Sequence, residues 1–449
     1  MNKEDKLQKK QAYCNICEVK TTKITGPVTM NFTINKGIRK CTEFYKSTQD
    51  ESKVNYSDLN ALFSTALFGN NLSETVKCAP WTRSESSISR SAKNFNTNRF
   101  MRRYRSSILK RLKKDMLIDP KRFMYIIDDT PNEKDGKLLK KCGRHRSHKS
   151  KMYTGQRIVL LCIYDTETGK IYPLAFDYCL NKTDEDHVKS TNLALKLLRE
   201  VVDMGFIPSM YVLDSWFNSS NLIMQIKDMG FKFCGEFKRN RLINIDNSER
   251  WLHLKEASAE LMKQKITKKK MFTSKGKKEK FVYIQEFEGK VKKCGVPLKF
   301  ILIFKHSNSK KPEAIYATTD LTLDGAHIWK AGRERWNIES AFRDLKQNLF
   351  FGRLSLQGQA GADLAICLPM ALYSSLQMDA FWGEFPENYT LGQKIELIRK
   401  RELMKSMAFI KKNPKSSKID LYLNRNSQVK RKPLDKAKNE CLGKVMYAT

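Results

Sequence analysis

Three carboxylates stand where a folded chain could use them together. Asp128 closes the apolar run Phe123–Ile127, Asp214 closes Met210–Leu213, and Glu339 lies in the amphipathic stretch from His327 to Leu349. At about 100° per residue, setting Arg335 at zero puts Glu339 near 40° and Lys346 near 20°, on one narrow face. Ile338, Ala341, Phe342, Leu345 and Leu349 form an apolar face directly beside it. Taken alone, Arg335 and Glu339 are an i,i+4 ion pair worth roughly 0.2–0.5 kcal/mol. Two strand-end carboxylates and a third on a packed helix are a different matter, because convergent anions repel unless a cation neutralises them. Hard oxygen ligands with open positions suit Mg²⁺, with Mn²⁺ as a substitute. Two such ions would activate a water or 3′-hydroxyl and stabilise the leaving oxygen of phosphodiester transfer.

The elements that must position these groups are legible as a change of period. Strand-like runs cover Phe123–Ile127, Arg157–Tyr164 and Ile171–Tyr178, the last two joined by an Asp165–Gly169 turn. A helix over Asp184–Met204, a strand at Met210–Leu213, a helix over Asn218–Met229 and a strand at Phe231–Phe237 complete the alternation. The acids of Asp184-Glu185-Asp186-His187 read as a helix start favoured by the dipole rather than as a metal site. Residues 238–318 interrupt the pattern with a lysine-rich run and three strand-like segments, Phe281–Phe287, Leu298–Phe304 and Ala314–Thr318. A single helix is expected over His327–Leu349 and another over Leu364–Phe381.

Ahead of this core, helices are expected over Ser57–Phe68, with Ser57 as cap and Gly69 as stop, over Leu72–Cys78 and over Ser84–Lys93. This helix–turn–helix-like order exposes Arg90. Arg99–Lys114 repeats Phe100, Tyr104, Ile108 and Leu112 every four residues, with a polar face carrying Arg102, Arg103 and Arg105 and no acid. Such a face suits a phosphate backbone.

In this order the residues resemble a known family. Ile127-Asp128-Asp129-Thr130, Leu213-Asp214-Ser215-Trp216-Phe217 and Arg335-Trp336-Asn337-Ile338-Glu339, with Lys346 seven residues beyond, resemble the motifs of DDE transposases. The last is similar to the YREK signature of bacterial insertion-sequence transposases that carry a β-strand insertion before the Glu. The resemblance covers roughly 123–350 and implies an α/β, RNase H-like catalytic core. It implies Asp128, Asp214 and Glu339 as the catalytic, metal-binding triad, with Asp128 chosen over Asp129 by the Asp-x-Thr/Ser pattern. It also implies that Arg335 and Lys346 hold DNA phosphates. Gly332 stands where the signature has Tyr, so the contact expected of that Tyr is missing or comes from elsewhere. Relatives hold a flipped base on an aromatic of the insertion; Trp251 is the insertion's tryptophan, and its simpler reading, like that of Trp336, is core.

Charge agrees with a polyanionic partner. Lys and Arg number 84 against 48 acids, a net +36, and the excess falls in blocks. A globular 41% hydrophobic content excludes a disordered tail, and Leu364–Tyr373 is too short to span a membrane. Met1–Lys10 carries no apolar leader, and eleven scattered cysteines read as reduced thiols, so a cytoplasmic, nucleoid-associated protein is expected. Cys14 and Cys17 lack partners at zinc-finger spacing, and His145 and His148 fall in a basic segment read as a DNA-contacting loop. The expected layout is a helical DNA-binding region over 1–122 and a core over 123–380 holding a β-rich insertion at 238–318. A basic C-terminal region over 381–449 follows, its tail from Arg399 onward expected to pack loosely. The function this implies is a cut-and-paste transposase that binds terminal inverted repeats in double-stranded DNA, cleaves the ends and joins 3′-hydroxyls to target DNA, as a homodimer on paired ends. A catalytically inactive DNA-binding derivative and an RNase H-like nuclease are the alternatives.

Overall fold

The computed structural model describes residues 35–420, apart from 50–52, 70, 80, 135–138, 140, 147–151, 246–249, 262–266, 273–278, 310, 379–380, 384, 387 and 417–418. Cys14, Cys17, Cys441, His148 and the chain after 420 lie outside those residues.

Five helices open the described chain: α1 (Lys36–Lys46), α2 (Tyr56–Phe68), α3 (Leu72–Cys78), α4 (Glu85–Lys93) and α5 (Thr97–Ile118). Each is capped by a side chain the sequence supplies. Asn55, rather than Ser57, caps α2 by accepting from Ser57 N, while Gly69 stops it at φ 75°, a left-handed conformation that glycine adopts without strain. Asn71 and Glu74 form a reciprocal capping box on α3, and Ser84 caps α4. On α5 the four-residue repeat is buried, as its spacing requires.

The strands β1 (Phe123–Glu133), β2 (Gly143–Arg146), β3 (Met152–Asp165) and β4 (Ile171–Tyr178) follow. Then come α6 (Ser190–Val202), β5 (Met210–Leu213), α7 (Ser220–Asp228) and β6 (Lys232–Glu236). β1, β3 and β4 are antiparallel neighbours, and β5 and β6 add parallel to β1 through helical crossovers. The resulting order β4-β3-β1-β5-β6 is an RNase H-like core in an α/β protein. β1 runs six residues past the expected Ile127 because its backbone stays paired with β3 as far as Glu133 opposite Gly155. α6 begins at Ser190, not at Asp184. The Asp184 carboxylate accepts from Asn181 N at 2.7 Å and His187 Nδ1 bonds the Leu180 carbonyl at 3.0 Å, so the acidic run is a turn. His145 is buried on β2 rather than carried on a surface loop.

Next come β7 (Leu242–Asn244), β8 (Leu252–His253), α8 (Leu254–Leu261), β9 (Thr267–Phe272), β10 (Glu279–Val291), β11 (Pro297–Phe304) and β12 (Ala314–Thr318). β12 pairs antiparallel with β6, so these strands extend the core sheet instead of forming a separate one. The open backbone edge of β6 is thereby satisfied.

The chain closes with α9 (Gly325–Glu334), α10 (Asn337–Asn348), α11 (Gly358–Gln377) and α12 (Leu391–Lys412). The single helix expected over His327–Leu349 is two, broken at Arg335-Trp336. α11 holds Pro369, which has no N–H for the Ala365 carbonyl four residues back; Gly352 N donates to it instead at 2.9 Å. The tail expected to pack loosely from Arg399 onward is anchored at its start. Arg399 donates to the carbonyls of Leu67 at 2.8 Å and Asn348 at 3.0 Å, tying α12 to α2 and α10. Tyr104 of α5 bonds the Pro173 carbonyl at 2.5 Å and Ser374 Oγ at 2.7 Å, joining the N-terminal helices to β4 and α11 in one hydrophobic core.

Candidate active site

The sheet brings the first two carboxylates together through register. β1 and β5 are parallel, and their last pair is Ile127 with Leu213, so Asp128, within β1, and Asp214, just past the end of β5, stand side by side at the same level. The β5–β6 pairing does the same for Leu213 and Gly235, which puts Glu236 beside Asp214. Gly235 cannot carry a side chain there, since a Cβ would lie 2.6 Å from Asn218 Nδ2 and 2.9 Å from the Leu213 carbonyl.

The α9–α10 junction supplies the third carboxylate and a cation that touches all three. Arg335 Nη1 donates to Asp128 Oδ2 at 2.9 Å, while its Nε lies 3.9 Å from Asp214 Oδ1 and its Nη2 lies 3.5 Å from Glu339 Oε1. Arg335 is buried, Asp128 nearly so, and Glu339 is 44% exposed at the rim. Burial pushes the Asp128 carboxyl up to about 7, against the opposing pull of the Arg335 guanidinium. Burial also raises Glu236, with the neighbouring Asp214 adding to the effect and Arg335 opposing it.

Asp129 is spoken for. Arg157 forks onto it with Nε–Oδ2 at 2.6 Å and Nη2–Oδ1 at 3.1 Å, on the opposite side of β1 from Asp128. Lys346 reaches β1 two residues on, donating to Thr130 Oγ1 and the Pro131 carbonyl at 2.6 Å each. Burial brings its ammonium down to about 8, with Arg353 adding to the depression. So Arg335 and Glu339 meet the strand carboxylates, whereas Lys346 serves the neighbouring stretch of β1.

The remaining cations divide. Arg90, Arg102 and Arg103 are exposed on α4 and α5, with Arg103 also resting 4.3 Å above the Phe44 ring. Arg105 is placed otherwise than expected: it is buried, its Nε donates to the Leu174 carbonyl at 3.1 Å and its Nη1 to Glu200 at 2.6 Å. A guanidinium committed to the core has no face for a phosphate. Trp336 and Trp251, expected in the core, are exposed, and so is Trp216. Trp336 is 50% exposed beside Arg335, Trp251 is 39% exposed rather than core, and Trp216 is 51% exposed with Arg157 at 5.1 Å and Lys238 at 5.3 Å from its ring.

Gly332 has a structural reason. A Cβ there would lie 2.5 Å from the ring of Tyr316 on β12, so an aromatic from the inserted strands occupies the space beside it. Glu236, Arg157 and Tyr316 were not found from sequence; the parallel pairing of Leu213 with Gly235 is the signal that places Glu236.

A family model for the transposase DDE domain matches residues 126–374, which contain all three carboxylates. The chain belongs to the DDE transposase family. Among solved structures, a piggyBac transposase synaptic complex with hairpin DNA, determined by cryo-electron microscopy, aligns over 90% of this chain and 84% of its own. The identity is 12% and the TM-score 0.43. No curated protein matches the chain. Transposases of this family work with divalent metal ions, and the donor chemistry suits one: three carboxylates face a common cation. Among the described residues no three His, Cys, Asp or Glu side chains group closely enough to hold an ion as they stand, and the cation among them is Arg335. Among those residues, too, no helix is long and apolar enough to cross a membrane.

Proposed function

We propose that this transposase moves DNA by a cut-and-paste route, with Asp128, Asp214 and Glu339 as its catalytic carboxylates. The observation that carries this is the convergence of three acids, from β1, the end of β5 and α10, on the one guanidinium of Arg335. The same three would hold Mg²⁺, or Mn²⁺ in its place, which when bound supplies a polarised nucleophile and neutralises the leaving oxygen. Asp128 is fixed for this by the Asp129 backbone N–H, which donates to its Oδ1 at 2.8 Å, and Asp214 by its place in the sheet. Rim exposure leaves Glu339 free to adjust as substrate enters. Arg335, at the bottom of the site, is positioned to exchange its carboxylates for a scissile phosphate, which its planar fork fits better than a lysine would.

In the same reading, the exposed Arg90, Arg102 and Arg103 bind the terminal inverted repeats along the phosphate backbone, and two copies act on paired ends. The joined product forms when the freed 3′-hydroxyl attacks a phosphodiester of target DNA at the same carboxylates, displacing the target strand's own 3′-oxygen. The test uses labelled duplexes carrying the DNA that flanks the gene, with wild type and Glu339→Gln. Mg²⁺-dependent cleavage by wild type, lost by orders of magnitude in a variant that still binds DNA, is the expected result. Binding by both proteins and cleavage by neither would replace this reading with that of an inactive DNA-binding derivative.

A further inference from the structure

The register that sets Asp214 beside Asp128 carries one strand further. Leu213 pairs with Gly235 across β5 and β6, so Glu236 stands to Asp214 as Asp214 stands to Asp128. Residues at one level of parallel strands point to one face, and neighbouring strands lie roughly 4.8 Å apart. Three carboxylates thus form a row across three strands, on the face where Arg335 meets Asp128 and Asp214. The row ends at Tyr316, the antiparallel partner of Glu236 on β12.

The backbone at Glu236 is held from two sides. Asn218 Nδ2 donates to its carbonyl at 2.6 Å, and Phe237 N donates to the Ile315 carbonyl at 2.8 Å. The Glu236 side chain is half-buried and lines a hollow of about 450 Å³ together with Ser215, the residue after Asp214. Lys238 and Arg239 line the same hollow. Yet among the described residues no cation stands within ion-pair distance of Glu236, and its carboxylate makes no hydrogen bond. Arg335 spans Asp128 and Asp214, at 2.9 and 3.9 Å, and acts on the Glu236 charge only through space, against the repulsion from Asp214. An acid set beside another with no bond of its own is destabilising unless a cation joins the pair. A divalent ion suits that role, since carboxylate oxygens are the donors it prefers. Paired ions in phosphodiester-transfer sites lie about 3.5–4 Å apart, close to the spacing of the strands that carry this row. A cation between Asp128 and Asp214 would therefore have a neighbour at a fitting distance, between Asp214 and Glu236.

We propose that Glu236 is a fourth metal-holding carboxylate, which with Asp214 binds one divalent ion of a pair. The assignment rests on reading Asp128, Asp214 and Glu339 as the reacting centre. No bond is made or broken at Glu236; it binds the ion and offsets its charge. The test replaces Mg²⁺ by Fe²⁺ in the full-length chain bound to a duplex of the DNA that flanks the gene. With ascorbate and peroxide, iron held in the site cuts the backbone nearby, and the fragments are read by mass spectrometry. Wild type, Glu236→Gln and Glu339→Gln are compared at the Fe²⁺ concentration that half-saturates wild-type cutting beside Glu236. Losing a group that holds or orients the ion lowers metal affinity roughly 10–100-fold, so cutting beside Glu236 should fall at least about fivefold in Glu236→Gln. Cutting beside Asp128 should persist. The metal-free Tm of Glu236→Gln should equal or exceed that of wild type, since no bond is lost and Asp214 loses a repelling neighbour. Undiminished cutting beside Glu236, or a lower metal-free Tm, would overturn the assignment. Glu339→Gln separates the two readings. Cutting that falls with Glu339→Gln but not with Glu236→Gln sinks the Glu236 assignment alone, and the reverse pattern keeps Glu236 while removing Glu339 from the centre. Cutting that neither variant changes, or that wild type does not show, sinks both.

Discussion

Arg335 is the sharpest place to perturb this molecule. It neutralises Asp128 from a buried position and also touches Asp214 and Glu339. Arg335→Gln keeps a polar side chain but removes the charge, leaving Asp128 buried without its counter-ion. Removing one partner of a buried pair costs about 3–5 kcal/mol, and the two more exposed contacts add less than about 1 kcal/mol each. Because burial already draws the Asp128 carboxyl up to about 7, it escapes part of the cost by taking a proton near neutral pH. That argues for the lower figure, about 3 kcal/mol. At about 2 °C per kcal/mol for a large domain, Tm should fall by roughly 6 °C in metal-free buffer. The carboxylates would then lack any cation, so Mn²⁺ should stabilise the variant more than wild type. A ligand at about 100 times its Kd returns about 2.7 kcal/mol, nearly the whole loss. Thermal melts with EDTA and with a Mn²⁺ series measure both quantities, and isothermal titration gives the affinity directly. Equal metal-free Tm values, with the same Mn²⁺ shift in both proteins, would refute the idea that Arg335 stands in for a cation. Arg335→Lys separates the effects, because it keeps the charge and loses the fork.

Two further expectations concern neighbours of the site. Burial lowers the Lys346 ammonium to about 8 from its ordinary 10.5, so between those values the unfolded chain holds a proton that the folded chain has released. Stability from this group therefore rises with pH from about 8 to 10.5 and is lost as pH falls through 8; Lys346→Met should flatten that rise between melts at about pH 7.5, below the window, and about pH 9.5, well within it. Gly332→Ala would drive a Cβ into the Tyr316 ring and should destabilise by about 1–3 kcal/mol, as overpacking does. Tyr316→Ala carries its own cavity cost, but in that background the added Gly332→Ala should cost much less in chemical denaturation, and additive penalties would show that the two positions do not compete for the same space.

Much of the scaffold is written in short-range pattern. Ile171–Tyr178 and Met210–Leu213 appear with the bounds their apolar runs announce, and Gly69 ends a helix because a left-handed residue is needed there. That Asp128, Asp214 and Glu339 each close or face a segment of clear period was legible too, and the fold brings all three to Arg335. What could not be read is which charges meet. Arg105 looked like its neighbours on a basic face, yet Glu200, 95 residues away, and the Leu174 carbonyl take it into the core. Asp128 and Asp129 are equivalent by type, and only the alternation of β1 between Arg335 and Arg157 gives them different partners. The helix break at Arg335-Trp336, the exposure of Trp336 and the filling of Gly332's space by Tyr316 likewise depend on what packs against them. Periodicity is a property of neighbours along the chain and survives in the sequence. The pairing and desolvation of charges are set by groups hundreds of residues apart, and only the assembled sheet and its covering helices bring those groups within reach.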